Sequence, residues 1–508
     1  MNQTPVQRER AALERVIEPS PRFGAYRLAL GFPNTYEVGM SNLGFQWVYR
    51  LFNRVPDLVC ERFFHEEGQP AVTFETGTPL SDFGLLAWSL SWEMDIVNIL
   101  RTLASAGIPT RREARDERHP LLLVGGDIAR MNPSALTPFV DVFALGDGER
   151  LVPRVAELLQ SGLDRDAFLA AAAALPGFFV PAVHGPRAEA ADNSRVVVQQ
   201  PMSRKEIGPA FEVPHTTILT PRTELSDKLL IEISRGCTEM CRFCWAAYAM
   251  APVKQYPASS ILSVARAARP LTDRAGLIAT AVCDHPEIVP ILEGLAELGY
   301  HIALSSIKID AIEDPILEVL ARQGERALSI APEAGNERLR RFVNKKVSDA
   351  MLDEKVRLVF ARGFTRLKLY LQVGLPSETE ADVDDIVRTV AACARSPSPR
   401  GVRSGESRRS CRPSTRSSRS RTRPTRTSRS ATRTTCAPRS SGSSASCRGC
   451  RTSSSAACPS ARPSGRRSSR RWTSPGRTSS RRPRPGCRSD GSSRRIANAF
   501  PRSSARRA

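Results

Sequence analysis

Short apolar runs alternate with amphipathic stretches over residues 26–161, which predicts strands and helices that follow one another in turn. The predicted strands are Tyr26–Phe32 and Phe83–Leu90, and two further strands are predicted in Leu121–Gly126 and Val140–Glu149, each ending in glycines. The predicted helices are Ser41–Phe52, Trp92–Ala106 and Glu149–Leu158, and Pro33–Gly39 is predicted as a loop. This α/β order predicts a doubly wound parallel sheet with helices on both faces.

Two of these strands end in glycines, at Gly125-Gly126 and at Gly146-Asp147-Gly148. Glycine at a strand end lets a ligand or another stretch of backbone come close, and open α/β sheets bind ligands at that edge. Tight turns need glycine equally. The pattern therefore leaves both interpretations open.

The pattern changes over residues 165–225, where seven prolines interrupt short apolar runs, and we interpret this segment as a linker. The alternation of strand and helix patterns then returns. The predicted strands are Leu229–Ile233, Gly276–Val282, His301–Leu304, Ala327–Ile330 and Leu367–Val373. Helices are predicted at Pro257–Ala268 and Ala381–Ala392. This order predicts a parallel barrel, whose chemistry lies at the carboxyl ends of the strands.

Three cysteines, Cys237, Cys241 and Cys244, follow the first of these strands with the spacing Cys-x3-Cys-x2-Cys. Three thiolates can hold three corners of a cubane iron-sulfur cluster, whereas a cluster that only carries electrons takes four cysteines. One iron would keep an open coordination position for a ligand, as in catalytic metal sites. A partial zinc site or a chance cluster of buried cysteines would give the same triplet.

The triplet, with aromatic Phe243 before its last cysteine, resembles the signature of the radical S-adenosylmethionine (SAM) enzymes. The resemblance implies that Cys237, Cys241 and Cys244 bind a [4Fe-4S] cluster whose open iron chelates SAM. An electron from a donor such as flavodoxin or ferredoxin would then cleave SAM to a 5'-deoxyadenosyl radical. The resemblance covers roughly residues 26–393 and implies an enzyme, but it names neither the substrate, the reaction nor a catalytic residue.

The resemblance extends beyond the cysteine triplet. The segment Gly374-Leu-Pro-Ser-Glu-Thr is similar to a turn that lies beside the adenine in many family members. Polar groups at other strand ends, including Lys308, could contact the ribose or carboxylate of SAM. The predicted cofactor contacts are Phe243, Ser306, Glu333 and Gly374. The Gly-Gly-Glu-like turn that usually binds the amino group of SAM is absent, so Asp284 is the substitute candidate.

The N-terminal elements resemble the cobalamin-binding-like domain that precedes the core of many radical SAM proteins. The motif Asp-x-His-x-x-Gly is absent, so no histidine is a candidate ligand to cobalt at the expected loop. Some relatives bind cobalamin without that histidine and others bind none. Cobalamin is therefore a possible third cofactor, after the cluster and SAM.

The charge of the chain is concentrated in its last 108 residues. Residues 401–508 contain 29 Arg and 29 Ser, no Lys or Leu, and only two acidic residues, so the net charge of +22 belongs to this tail. Such a segment cannot bury a core and is predicted to be disordered. An arginine-rich nucleic-acid-binding arm is one interpretation.

A frameshift near codon 395 of a GC-rich gene is the interpretation that we favour for this tail, since a sixth barrel strand is expected where the Arg/Ser-rich run begins. Three functions therefore stay open. The first is a radical SAM enzyme, the second a non-catalytic RNA- or ribosome-associated protein that uses a genuine tail, and the third an inactive frameshifted product.

Cysteine usage fits a reduced cytoplasm rather than a disulfide framework, because the first 400 residues hold only six cysteines. No stretch is predicted to act as a signal peptide or to span a membrane. The predicted fold is an N-terminal cobalamin-binding-like domain plus a partial (β/α)6 barrel. The predicted divisions are 1–25 (N-terminal segment), 26–164 (cobalamin-binding-like domain), 165–225 (linker), 226–394 (radical SAM core) and 395–508 (basic tail).

Overall fold

A computed structural model of the chain describes residues 3–21, 23–186, 212–304 and 307–395, and the backbone of residues 410–415. The elements of the first half are α1 (Pro5–Leu13), β1 (Arg15–Val16), β2 (Tyr26–Phe32), α2 (Tyr36–Met40), α3 (Leu43–Asn53), β3 (Leu58–Phe64), β4 (Leu85–Ser89), α4 (Ile96–Ser105), β5 (Leu121–Gly125), α5 (Asp127–Met131), β6 (Val142–Ala144), α6 (Gly148–Gln160), α7 (Arg165–Ala174), β7 (Phe178–Phe179), α8 (Pro181–His184) and β8 (Ile218–Leu219).

Six of these strands form one sheet in the order β3-β2-β4-β5-β6-β7. The first five are parallel, and β7 pairs antiparallel to β6. The chain first winds from β2 to β3 and then crosses to β4 on the other side of β2. The carboxyl ends of β2 and β4 therefore mark a topological switch point, where open α/β sheets bind their ligands.

Both faces of this sheet are buried, which confirms the doubly wound arrangement. Along β4, Leu85 and Ala87 belong to a core cluster with residues of α3, α6 and α7, whereas Leu86 and Trp88 belong to a second cluster with residues of α4 and α5. Successive strand residues point to opposite faces, so a continuous apolar strand serves both clusters.

Three elements of this half differ from the prediction. Residues Tyr36–Met40, predicted within or beside a loop, form α2. Strand β3 was not predicted because it contains Glu61 and Arg62, which are buried and ion-paired to Arg27, Glu14 and Glu75. The segment after residue 164, predicted as an irregular linker, contains α7 and β7, and β7 extends the sheet.

The second half contains β9 (Leu229–Glu232), β10 (Ser234–Arg235), α9 (Ala246–Ala249), β11 (Lys254–Gln255), α10 (Ala258–Ala268), β12 (Arg274–Ile278), α11 (Ile288–Glu297), β13 (His301–Ala303), α12 (Asp314–Arg322), β14 (Ala327–Glu333), α13 (Glu337–Phe342), α14 (Asp349–Ala361), β15 (Arg366–Leu371), α15 (Glu380–Arg395) and β16 (Ser410–Thr415). Short 3-10 turns lie at Leu80–Asp82, Glu93–Asp95, Arg112–Ala114, Ser134–Leu136 and Val282–Asp284.

The long strands of this half form two parallel sheets, β9-β12-β13 and β14-β15-β16, and helices alternate with the strands. A parallel bridge from Ile307 to Ile330 continues the first sheet toward the second. One core cluster fills the space between these strands and α10, α11, α12 and α14. The order along the chain is that of a (β/α)6 arc.

Strand β16 corrects one expectation from the sequence. Residues Ser410–Thr415 lie in the Arg/Ser-rich tail, where no strand was predicted, yet they pair in parallel with Arg366–Leu371 of β15. They occupy the place of a sixth strand. The remaining residues of the tail, 396–409 and 416–508, lie outside the described residues, so its predicted disorder and its possible binding function stay predictions.

The N-terminal segment joins both halves, since β1 pairs antiparallel with β8 and the Arg15 side chain forms an ion pair with Asp227 at 2.8 Å. The described residues, from residue 3 to residue 415, belong to one compact unit. Within the described ranges, no helix has the length and apolar character that crossing a membrane requires.

Candidate functional site

A two-stranded ribbon holds both ends of the cysteine segment. Ser234 pairs with Gln255 and Arg235 with Lys254, so the residues between them form the loop that carries the three thiols. Gly236 opens this loop with a φ of 93°, and a Cβ there would lie 2.8 Å from the carbonyl oxygen of Met250. Only glycine combines that backbone conformation with so close an approach.

The thiols of Cys237, Cys241 and Cys244 are free, and all three lie partly buried in this loop. The loop is folded on itself, because the Cys244 amide donates to the Cys241 carbonyl at 3.0 Å and the Glu239 amide donates to the Cys237 sulfur at 3.5 Å. Burial raises the pKa of the Cys237 thiol and that of the Cys241 thiol. Lys345 lowers the pKa of Cys241, while the thiols of Cys237 and Cys244 raise it.

The three thiols match the donor set of a [4Fe-4S] cluster in number, kind and spacing, and leave one iron without a protein ligand. They are not gathered at bonding distances. Over the described ranges, no three His, Cys, Asp or Glu side chains stand in an arrangement that could hold a metal ion. The residues therefore fit the cluster in the chemistry of their donor set.

A second segment, after α13, clamps the cysteine loop. The Arg242 amide donates to the Val343 carbonyl at 3.0 Å, and Asn344 Nδ2 donates to the carbonyls of Met240 at 2.9 Å and Glu239 at 3.3 Å. Met240 and Asn344 both have positive φ angles, 51° and 61°. In the sequence, the segment from Glu333 to Asn344-Lys345 resembles the corresponding region of cobalamin-type radical enzymes, but the contact of Asn344 with the cysteine loop was not predicted.

The Lys308 side chain forms ion pairs with three carboxylates beside Cys237. Its Nζ lies 2.8 Å from Glu239, 2.9 Å from Asp284 and 3.4 Å from Asp310. Burial lowers the pKa of Lys308, but the hydrogen bonds to Glu239 and Asp284 raise it above its ordinary value. The lysine is therefore charged, and the predicted positions Lys308 and Asp284 come together at one place.

Glu333 lies at the carboxyl end of β14 with a φ of 70°, an unusual conformation for a residue other than glycine. Its carboxylate accepts from Lys345 Nζ at 3.1 Å and from Gln372 Nε2 at 2.8 Å. Lys345, which binds Glu333, also lowers the pKa of Cys241. Glu333 is therefore close to the cysteine loop. The sequence did not single out Gln372.

The other predicted contacts are less closely gathered. The Phe243 side chain is 44% exposed, and Gly374, with a φ of 94°, faces open space and donates its amide hydrogen to Glu378 in the same loop. Ser306 lies outside the described residues. His285 is buried: its Nδ1 accepts from the Glu287 amide and its Nε2 lies 2.9 Å from the Tyr256 carbonyl, which is a structural role.

A cavity of about 560 Å³ lies between the switch point of the N-terminal sheet and the start of the barrel. Among its lining residues are Ser89, Gly125, Gly126, Gly146, Trp47, Arg130, Asp147, Glu149, Glu232, Arg235, Met250 and Ile278, and no described histidine lines it. A Cβ on Gly126 would lie 2.5 Å from the Leu90 carbonyl oxygen, so this glycine is explained by backbone contact alone.

Buried charges line the side of the cavity next to the cysteine loop. Arg235 bonds to Glu232 at 2.6 Å, to Glu149 at 3.0 Å and to Asp147 at 3.0 Å, and Lys254 bonds to Asp147 at 3.1 Å. Arg130 also pairs with Asp147, and Trp47 donates to Glu149. Burial lowers the pKa of Arg235, but Glu232 and Glu149 raise it well above its ordinary value.

A doubly wound sheet followed by a parallel six-strand arc, with three cysteines at a strand end, defines the architecture of radical SAM proteins that carry an N-terminal domain. The family model described as "Radical SAM proteins, N-terminal" matches residues 44–181, and that of the "Radical SAM superfamily" matches residues 231–390. The chain belongs to the radical SAM superfamily, and it is an enzyme of that class.

Similar proteins share the architecture at low sequence identity. An uncharacterized protein of Methanocaldococcus jannaschii is 24% identical over 365 residues, covering 71% of this chain and 72% of that protein. The cobalamin-dependent radical SAM enzyme OxsB, solved with aqua-cobalamin, superposes with a TM-score of 0.51 at 14% identity and covers 74% of this chain. The match spans about half of OxsB, 54% of its chain.

The radical SAM methyltransferase TsrM from Kitasatospora setae, solved with tryptophan and a SAM analogue, gives a TM-score of 0.50 at 14% identity. That match covers 73% of this chain and 71% of the TsrM chain. At these identities the structures establish the fold, which confirms the predicted combination of an N-terminal α/β domain and a radical SAM barrel.

Proposed function

We propose that this enzyme binds a [4Fe-4S] cluster through Cys237, Cys241 and Cys244 and reductively cleaves SAM to begin radical chemistry on a substrate that the site does not identify. The observation that carries the proposal is the position of the three free thiols on one loop, tied at both ends by the ribbon β10–β11, after the first barrel strand. When bound, the cluster supplies the electron for cleavage, and the protein's contribution is binding, orientation and exclusion of water.

The charges around the loop support this function. SAM carries a carboxylate and an amino group on adjacent positions, and Lys308 with Asp284 offers one cation and one carboxylate 2.9 Å apart beside Cys237. We assign the SAM carboxylate to Lys308 and the amino group to Asp284, which replaces the absent Gly-Gly-Glu-like turn. The existing ion pair would open to receive the opposite pair of charges on the ligand.

Glu333 is assigned to the ribose hydroxyls, because a carboxylate at a strand end is a strong hydrogen-bond acceptor. The open backbone at Gly374 and the exposed ring of Phe243 are assigned to the adenine. Hydrogen bonds from Lys345 and Gln372 hold the Glu333 carboxylate in place. Ser306 keeps its assignment as a cofactor contact from the sequence alone.

Reconstitution of the full chain under anaerobic conditions with iron and sulfide tests the proposal. The wild-type protein should take up about four irons per chain and, with SAM and a reductant, release 5'-deoxyadenosine detectable by mass spectrometry. Cys241→Ala should lose both the iron uptake and the release of 5'-deoxyadenosine. Cys283→Ala is the matched control, since Cys283 is a partly buried free cysteine outside the loop, in the 3-10 turn that follows β12.

Two results would contradict the proposal. One is iron uptake in Cys241→Ala equal to that of the wild type, and the other is loss of uptake in Cys283→Ala to the same degree. Release of 5'-deoxyadenosine without added SAM would show a contaminant rather than a reaction of this protein.

A third cofactor, cobalamin, is favoured by one specific observation, the cavity of about 560 Å³ at the switch point between the sheet and the barrel. No described residue lining it is a histidine, so cobalt would be bound without a protein imidazole. Hydroxocobalamin should remain with the protein after gel filtration, and Ser91→Trp, at the cavity wall, should reduce the bound amount. Ser81→Trp, exposed on another turn, is the control.

A further inference from the structure

Cys241 differs from the other two cysteines of the loop in what adjoins it along the chain. Cys237 follows the ribbon strand β10, and Cys244 precedes the helix α9. Cys241 lies between them in an irregular stretch and is partly buried. Contacts with another part of the chain therefore decide how its backbone is oriented.

Hydrogen bonds to the segment after α13 hold both peptide groups that flank Cys241. On one side, Asn344 Nδ2 donates to the Met240 carbonyl oxygen at 2.9 Å. On the other side, the Arg242 amide donates to the Val343 carbonyl oxygen at 3.0 Å. Because a peptide group is planar, holding the two planes beside a residue restricts both of its backbone dihedral angles. The Cys241 thiol is then left with rotation about its own χ1 angle.

Met240, the residue before Cys241, has an unfavourable backbone conformation. Its φ of 51° lies in the left-handed region, which residues with a large side chain rarely adopt. Such a conformation persists where the surrounding structure holds it. The Met240 carbonyl accepts from Asn344 and also, at 3.3 Å, from the Tyr248 hydroxyl. Asn344 has a φ of 61°, but asparagine tolerates this region better than methionine does.

A buried arginine fixes the segment that carries Asn344. The Arg340 side chain is fully buried, and its guanidinium donates to the carbonyls of Val347 at 2.8 Å and Ala334 at 3.0 Å. The Lys345 amide donates to the Arg340 carbonyl at 2.7 Å. These bonds close the turn around Asn344 and tie it to the residue that follows β14. Asn344 therefore contacts the cysteine loop from a rigid support.

We propose that Asn344 is a positioning residue for Cys241, because its hydrogen bonds to the carbonyls of Glu239 and Met240 set the direction of the Cys241 thiol. The inference rests on the proposed function, in which Cys241 binds the cluster. Asn344 acts through the backbone of the loop and supplies no ligand itself. A thiol whose backbone is already fixed loses less conformational freedom when it binds iron, so Asn344 increases the affinity of the loop for the cluster.

Thiol alkylation of the cluster-free full chain tests the positioning role directly. The reduced protein is treated with iodoacetamide under anaerobic conditions, and tandem mass spectrometry follows the alkylation rate of each cysteine. Asn344→Gly keeps the left-handed backbone but removes the amide, and Asn344→Asp keeps the size of the side chain but carries an ionised carboxylate that cannot donate. Asp57→Gly is the matched control, because Asp57 is an exposed polar residue with a φ of 60° in the turn between α3 and β3.

Alkylation of Cys241 should become about tenfold faster in both Asn344 variants, because the loss of two hydrogen bonds lets this part of the loop open more often. The rates at Cys237 and Cys244 should change less than about twofold. Asp57→Gly should leave all three rates as they are in the wild type.

Selectivity for one thiol separates positioning from a general structural role. An equal increase at all three cysteines would show that Asn344 only stabilises the loop, which overturns the proposal. An unchanged rate at Cys241 in both Asn344 variants overturns it as well.

Iron retention supplies a second measurement, made on the reconstituted protein. Both Asn344 variants should lose iron to a chelator at least about tenfold faster than the wild type, whereas Asp57→Gly should lose it at the rate of the wild type. Retention equal to that of the wild type would overturn the assigned effect on the cluster. If the wild type itself takes up no iron, the proposed function fails, and the alkylation rates still decide whether Asn344 orients Cys241.

Discussion

The guanidinium of Arg235 donates to the carboxylate of Glu149 across the junction between the N-terminal sheet and the barrel, with 3.0 Å between Nη2 and Oε1. Arg235 immediately precedes Gly236 and Cys237, while Glu149 lies at the start of α6. The same guanidinium also binds Glu232 and Asp147. The start of the cysteine loop is therefore attached to the N-terminal domain through one side chain.

Arg235→Gln should destabilise the protein by about 3 kcal/mol, because removal of one partner leaves buried carboxylates with too little positive charge. Urea unfolding of the cluster-free chain measures the effect. Arg118→Gln is the control, since Arg118 is largely exposed and pairs with Asp116, and it should leave the stability almost unchanged. Equal costs for the two variants would show that the junction does not depend on Arg235.

Gly236→Ala should lower both stability and iron uptake. Its φ of 93° disfavours alanine, and the added methyl group would lie 2.8 Å from the Met250 carbonyl oxygen. Gly363→Ala separates the two causes, because Gly363 has a φ of 84° but open space around the position of a Cβ.

Thermal unfolding should show a loss of about 1 kcal/mol for Gly363→Ala and about 2 to 3 kcal/mol for Gly236→Ala. Iron uptake should fall only in Gly236→Ala. Normal uptake in that variant would mean that the loop does not need its sharp first turn.

The stability of the N-terminal domain should depend on pH through Asp95. Burial raises the pKa of this carboxyl to about 6, although a hydrogen bond from Asn34 lowers it. The folded state therefore binds its proton more tightly than the unfolded chain, whose Asp pKa is about 3.9. The stabilising contribution of Asp95 is complete below about pH 3.9 and is lost as the pH rises through about 6.

Asp95→Asn should remove that pH dependence and should make the protein more stable than the wild type at pH 7, by roughly 2 kcal/mol. Urea unfolding of the cluster-free chain between pH 4 and pH 7 measures the free energy of unfolding of the wild type and of the variant. Glu93→Gln, an exposed change two residues away, should leave the curve of the wild type in place. A parallel shift of the Asp95→Asn curve, without a change of slope, would contradict the prediction.

Most of the strands were predictable because their apolar runs are continuous or alternate regularly. Strand β2 has the predicted bounds, Tyr26–Phe32, and β5 (Leu121–Gly125) lies within the predicted segment Leu121–Gly126. Strand β3 was not predictable, since Glu61 and Arg62 at its centre would be unfavourable in a buried strand without partners. Those partners include Glu14, which lies 48 residues away in the chain. Local patterns carry no information about such pairings.

The candidate site was predictable as far as it is local. Three cysteines within eight residues had to lie on one loop, and Lys308 and Asp284 meet as the strand ends suggested. The clamp from Asn344 and the junction at Arg235 were not predictable, because each depends on the packing of separate elements. Glu149 lies 86 residues before Arg235, and no periodic pattern relates the two.

The short span from Cys237 to Cys244 affects the order in which the protein can assemble. A loop of eight residues closes at a small entropic cost, so the three thiols need no distant part of the chain to approach one another. Iron could be captured as soon as this loop has formed, before the later barrel strands are in place. The Arg235 junction requires both halves to be folded, so it would secure a loop that has already been loaded.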